Sequence, residues 1–214
     1  MSDRPAYMIP RADVDLIYPV PIYVGKFLDT PEMQNEIAGV IDKLNFNHGI
    51  ANWIIQSPNS MKYSNLCGDI IKDHNMMVFE KFIHANLMNY CNQIGFRPPN
   101  EYVRESWIAR SNPGEYMSFH DHAFRDISCV YYYQSDGKDG SLILKNPNTL
   151  AATSLCYQKY GGMYGEMYGG GFKYYRPEVG QLILFPGFME HAVSINESDN
   201  VRISVVVNYT FNRK

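Results

Sequence analysis

The sequence predicts an α+β fold, mainly β. Three observations carry that expectation: apolar residues at helical spacing within the first hundred residues, a series of short β-rich runs after "RPPN" (97–100), and turn residues between those runs. Two helices followed by many short strands read as a β-sandwich or open barrel with helices packed against it. A chain of 214 residues suits one domain with a sizeable core. The expected division is an N-terminal arm with supporting helices over 1–100 and a β core over 101–214.

The elements follow in order. "LIYPVPIYVGKF" (16–27) alternates β-branched and aromatic residues with prolines, which cannot donate to a ladder and so suit an edge strand or extended arm. "DTPEMQNEIAGVIDKL" offers Asp29 or Thr30 as N-cap and Pro31 at the first helical position, with Met33, Ile37, Val40, Ile41 and Leu44 at helical spacing. Residues 45–67 are rich in Asn, Ser, Gly and Pro without a sustained period, and read as loop with room for one short strand. From Asp69 to Ile94 the apolar positions recur every three or four residues, which predicts one long packing helix ended by Gly95. His74 and His84 lie ten residues apart on it, too far to share a turn as a metal pair, and read as structural or solvent-facing.

The β-rich runs are 102–110, 116–124, 126–134, 141–146, 181–186, 192–196 and 201–211, with "SNPGE", "SDGKDG", "PGF" and "NESDN" as turns between them. Residues 157–175 break the pattern with six Gly and six Tyr. No phosphate-cradling motif occurs there, and such a tract reads as a lid, a substrate-binding loop or a flexible connection.

Composition excludes several classes. A net charge of −3 disfavours broad binding to nucleic acid or anionic membranes, which need a basic face. Cys67, Cys91, Cys129 and Cys156 are widely spaced, as reduced thiols are, and favour a cytoplasmic setting. The N-terminus lacks a signal-peptide pattern, and no apolar run approaches the ~20 residues that span a bilayer. No G-x-S-x-G or Cys/His signature supports nucleophilic hydrolysis.

The chemistry concentrates in "SFHDHAF" (118–124) and the C-terminal runs. On a strand, His120 and His122 face one way and Asp121 the other, which fits either a satisfied core pair or two metal ligands. Further on, His191 follows a turn, and Arg202 and Ser204 share one face of "VRISVVV". Burying an arginine requires a partner, and no acid lies on that strand. A bound carboxylate, taking a bidentate contact from the guanidinium and one from the hydroxyl, is the partner expected.

H-x-H at 120–122, the distal His191 and R-x-S at 202–204, eleven residues from His191 to Arg202, resemble the iron(II)- and 2-oxoglutarate-dependent oxygenases over residue 102 to the end. "FPGFMEHAV…RIS" is most similar to a small group of these enzymes assigned mainly by sequence, and "DISCVYYYQ…GSLILKNP" to strands of prolyl hydroxylases. The resemblance implies a double-stranded β-helix, a jelly-roll with helices on one outer face. It implies Fe(II) held by His120, His122 and His191, and 2-oxoglutarate whose distal carboxylate reaches Arg202, Ser204 and the hydroxyl of Tyr131. The implied activity is a dioxygenase reaction that yields succinate and carbon dioxide, most commonly hydroxylating a protein side chain or small molecule.

One departure stands out. The family's usual second ligand is an acid, and His122 occupies its position, so the imidazole set leaves the ion's charge for the dianionic cosubstrate to neutralise. Asp121 is an alternative ligand if a bulge re-aims it, and Asp126 an acceptor orienting an imidazole. The rival readings are a three-histidine, cupin-like metal protein whose anion site serves substrate, and a non-catalytic binding module. Edge strands and the arm leave pairing into a homodimer open.

Overall fold

The computed structural model describes residues 19–27, 30–48, 59–64, 68–97, 101–122, 124–148 and 171–211. The start of the expected arm, Cys67, Cys156 and most of the Gly/Tyr-rich tract, with the lid expected of it, lie outside the described residues.

Eleven strands among the described residues form two antiparallel sheets. The larger sheet contains β1 (Tyr23–Lys26), β2 (Asn47–His48), β3 (Lys62–Tyr63), β4 (Tyr102–Ser111), β6 (Ile127–Gln134), β9 (Gln181–Pro186) and β11 (Arg202–Phe211), in the order β1-β9-β6-β11-β4-β3-β2. The smaller contains β5 (Met117–His120), β7 (Leu142–Lys145), β8 (Phe172–Tyr175) and β10 (His191–Val193), in the order β5-β10-β7-β8. The chain passes repeatedly between the sheets, and one cavity is lined by residues of both. This is the double-stranded β-helix that the resemblance implied.

Helix α1 (Pro31–Ile41) begins where its cap predicts, with the Thr30 hydroxyl accepting from Met33 N at 3.2 Å. The single long helix expected over 69–94 is instead two, α2 (Ile70–Asp73) and α3 (Met77–Gln93). Asn75 turns the chain between them with φ of 53°. The restart is stabilised from outside the segment: the Glu36 carboxylate on α1 accepts Val78 N at 3.1 Å and Phe79 N at 2.8 Å, the first free donors of α3. Periodicity within 69–94 could not reveal a cap supplied by another helix.

Helix α3 covers one face of the larger sheet. Phe79, Ile83, Leu87, Tyr90 and Cys91 form a core cluster with Cys129, Tyr131, Leu182, Leu184, Val205, Val207 and Tyr209. At about 25 cal/mol per Å² of apolar surface, this is the main reservoir of stability. Cys91 and Cys129 are buried free thiols, as their spacing suggested.

The Gly/Tyr-rich tract ends earlier than expected, because Phe172–Tyr175 pairs with β7 as an edge strand. The run expected over 116–124 contributes only Met117–His120. Among the described residues, no helix is long and apolar enough to cross a membrane.

Candidate metal centre and anion pocket

The three histidines converge on the cavity between the sheets, each by a different device. His120 ends β5 and pairs with His191 at the start of β10. The next matched pair is Met117 with Val193, so Ser118 and Phe119 on β5 face the single residue Ala192. This bulge turns both Met117 and His120 into the cavity. The Ser118 carbonyl lies 2.9 Å from His120 Nδ1, and the Met189 carbonyl 2.8 Å from His191 Nδ1. Each carbonyl can accept the Nδ1 proton, which leaves Nε2 as the lone-pair donor, the arrangement metal-binding histidines adopt.

His122 lies beyond the end of β5, so strand alternation does not orient it. Loop contacts do. His122 N donates to Gly187 O at 2.9 Å, and Arg125 N donates to His122 O at 2.7 Å. Gly187 is required for this approach, since a Cβ there would sit 2.1 Å from Arg125 O and 3.0 Å from His122 O. The ring lies parallel to Trp107, with centroids 6.1 Å apart and planes at 4°.

Asn208 holds its amide 2.6 Å from His122 Nδ1, and Ser128 Oγ lies 2.9 Å from the amide's other end. An imidazole that coordinates through Nε2 keeps its proton on Nδ1 and needs an acceptor there. The Asn208 amide oxygen supplies one when it faces the ring with its nitrogen turned to Ser128. Sequence reasoning assigned that kind of role to Asp126, whose carboxylate accepts Phe211 N at 2.7 Å. Asp121 is exposed and outside the cluster, so the bulge re-aims His120 and leaves Asp121 away from the other donors.

One donor atom from each of His120, His122 and His191 lies within 4.8 Å of the other two. Burial lowers the pKa of all three: His122 falls to about 3, with the charges of His120 and Arg125 adding to the burial, and His191 lies well below its ordinary value. Neutral imidazoles are the form that binds a metal ion. Donor type, proximity, protonation and carbonyl support all fit an Fe(II) site.

At the other end of the cavity lies Arg202, only 1% exposed. Its Nη1 donates to the carbonyls of Asp139 (3.1 Å) and Gly140 (2.7 Å), and its Nη2 approaches Met61 Sδ at 3.2 Å. Among the described residues its Nε has no partner and no carboxylate pairs with the guanidinium. Glu190 pairs with Lys145. Gly140 admits the guanidinium with φ of 97°, where a Cβ would meet Ser194 O at 2.4 Å. The donor set fits an anion: a buried cation, an orphaned N–H and the neighbouring Ser204 hydroxyl line the same cavity.

Tyr131 requires correction. Its ring packs against Phe79 and Phe82, with centroids 5.3 and 5.7 Å away, on the helix-covered face of β6, and it does not line the cavity. The strand's period of two sends the next residue, Tyr132, into the cavity. Tyr132 and Tyr63 both feel the Arg202 charge, and burial raises both hydroxyls above the ordinary tyrosine range, Tyr132 to about 12, so both remain neutral donors. Sequence reasoning did not single out Tyr63, Tyr132, Trp107, Ser128 or Asn208. Only for Tyr132 was a signal present, in its placement beside Tyr131 in "VYYYQ".

A double-stranded β-helix whose sheets enclose a three-histidine cluster and a buried arginine defines the class of this protein. Residues 105–208 match the family described as "Putative 2OG-Fe(II) oxygenase", and the three histidines, Arg202, Ser204 and Tyr132 all lie within that span. Solved structures agree in fold. A Trichoplax adhaerens prolyl hydroxylase in complex with a hypoxia inducible factor peptide is 14% identical with a TM-score of 0.59, covering 89% of this chain and 83% of that one. The α-ketoglutarate-dependent epimerase SnoN from nogalamycin biosynthesis is 12% identical with a TM-score of 0.63, covering 90% of this chain and 79% of the other. Streptomyces hygroscopicus HygX with nickel and 2-oxoglutarate bound is 10% identical with a TM-score of 0.58, covering 91% and 84%. No curated protein matches the sequence. Iron(II) and 2-oxoglutarate are the cofactor and cosubstrate of this family.

Proposed function

We propose that this protein is a 2-oxoglutarate-dependent dioxygenase that hydroxylates a protein side chain or a small molecule, with its helices and β core acting as one domain. The observation that carries the reading is Arg202, a buried guanidinium with no carboxylate partner among the described residues, in the same cavity as three neutral imidazoles. His120, His122 and His191 would hold Fe(II). Arg202 and Ser204 would bind the distal carboxylate of 2-oxoglutarate, and Tyr132 takes the part that the resemblance gave to Tyr131.

Fe(II) with 2-oxoglutarate supplies oxygen activation, in which one oxygen atom of O₂ enters succinate as carbon dioxide leaves and the other enters the substrate's C–H bond. The chain's own residues bind and orient. Arg202 fixes the cosubstrate's far end, and its attraction is strengthened because the cavity is small, about 70 Å³, and mostly apolar. The Ser118 and Met189 carbonyls keep two imidazoles aimed. The peptide in the Trichoplax complex and the place of SnoN in nogalamycin biosynthesis support both substrate classes.

The test is succinate formation from 2-oxoglutarate with Fe(II), with and without candidate peptide and metabolite pools. Turnover that disappears in Arg202→Ala at cosubstrate levels saturating the native protein is expected. Native protein that takes up Fe(II) but neither binds nor turns over 2-oxoglutarate would sink the reading. That outcome favours a cupin-like metal protein instead, a reading supported by a cluster that among the described residues holds three histidines and no carboxylate.

A further inference from the structure

Two buried donors that line the cavity lack a partner among the described residues: Arg202 Nε and Trp107 Nε1. The first is accounted for by an anion. The second is not used by anything above.

Trp107 is 5% exposed and sits on β4 opposite Val206 of β11. It packs in a cluster with Met61, Tyr63, Ala109 and Met117, with the His122 ring stacked on it. A phenylalanine would fill such a site without burying a polar atom. An indole N–H is a donor only, and burying it without an acceptor forfeits the bond it makes with water. Buried polar groups are otherwise nearly all satisfied, so an orphan beside a ligand cavity points to a ligand acceptor.

The position of the ring indicates which part of the ligand. Trp107 stacks on His122, which places it at the histidine end of the cavity, while Arg202 pairs with Ser111 four residues further along β4. A small dianion anchored at Arg202 and extended along the β4/β11 pair toward the histidines passes the indole. We propose that Trp107 is a binding residue, its indole N–H donating to an oxygen of the 2-oxo acid end of the bound cosubstrate. This rests on the reading that the cavity takes 2-oxoglutarate.

The test uses the full chain loaded with Zn(II), so that nothing turns over. Trp107→Phe keeps an aromatic ring against His122 and removes the pyrrole half of the indole with its N–H, so Zn(II) affinity should stay within about twofold, while 2-oxoglutarate affinity by calorimetry should fall roughly ten- to a hundredfold. In the native protein labelled with ¹⁵N, the indole proton absent from the Trp107→Phe spectrum should move downfield and exchange more slowly when 2-oxoglutarate is added. An unaltered cosubstrate affinity in Trp107→Phe, or an indole proton that does not move in native protein saturated with 2-oxoglutarate, overturns the proposal. If Trp107→Phe fails to take up Zn(II), the indole proton of the native protein alone decides. Native protein that binds no 2-oxoglutarate overturns the reading of the cavity and this proposal together, whereas native binding with an unshifted indole overturns this proposal alone.

Discussion

The two faces of the larger sheet carry different kinds of residue, and β11 shows the contrast within one strand. Ile203, Val205, Val207 and Tyr209 turn toward the helices and join the main core cluster. Arg202, Ser204 and Val206 turn into the cavity, and Asn208 reaches His122. Strand β6 repeats the contrast at Tyr131 and Tyr132. On the first face, burial removes apolar surface from water and stabilises the fold. On the second, burial strips water from a guanidinium, imidazoles and hydroxyls, which costs stability unless a ligand replaces that water. The difference teaches that stability and function are separable across one sheet.

Substitutions can break or sharpen that separation. The largest effect is expected from His191→Ala, which leaves two imidazoles: Fe(II) uptake by calorimetry and succinate production should both be abolished, with the far-ultraviolet spectrum unchanged. Next, Arg202→Met should weaken 2-oxoglutarate binding by roughly a hundredfold, while the melting temperature of the metal-free protein stays level or rises, because an unpaired buried charge gives way to an apolar chain. Phe79→Ala on the opposite face should do the reverse, losing about 3–5 kcal/mol in urea unfolding as a cavity opens against Tyr131, with cosubstrate affinity of the folded protein intact. A drop in cosubstrate affinity there would show that the two faces are coupled.

Smaller effects sharpen the contrast within the pocket face. Asn208→Leu should reduce metal affinity roughly ten- to a hundredfold by removing the group against His122 Nδ1, and Asn208→Asp, an acceptor at both oxygens, should restore much of it. Equal affinity in the native and Leu proteins would show that Trp107 and the Gly187 loop orient His122 unaided. Smallest of all, Tyr132→Phe should raise the KM for 2-oxoglutarate by about tenfold with kcat little changed, and Tyr131→Phe should leave both constants alone. The opposite outcome would return Tyr131 to the role implied by the resemblance.

Much of this was legible in the sequence, for reasons particular to each element. The α1 cap at Thr30 and the alternation of β11 are local signals, carried by chemistry within a few residues. His120, His122, His191, Arg202 and Ser204 could be named because each is a costly residue type for a β core, and their order and spacing resemble a known family. The expectation that His120 and His122 face one way rested on strand alternation, whereas the strand stops at His120 and the loop clamped at Gly187 carries His122. The choice of Tyr131 rested on the likeness of "DISCVYYYQ" to strands of prolyl hydroxylases, and a shift of one residue within a strand reverses the face.

By itself, then, the sequence determined the succession of helices and strands, the apolar face of each, and the residue types available for a metal and an anion. Those properties depend on propensity and periodicity, which act over a few neighbours. Only the tertiary structure decided how the donors meet: the bulge that aims His120, the amide of Asn208 against His122, Glu36 restarting α3 from another helix, and Trp107 buried beside the histidines without an acceptor among the described residues. These are contacts between residues 40 or more positions apart or across sheets, and no local propensity encodes them. They exist because burying one set of apolar faces brings particular polar atoms together, where each must find a partner or wait for a ligand.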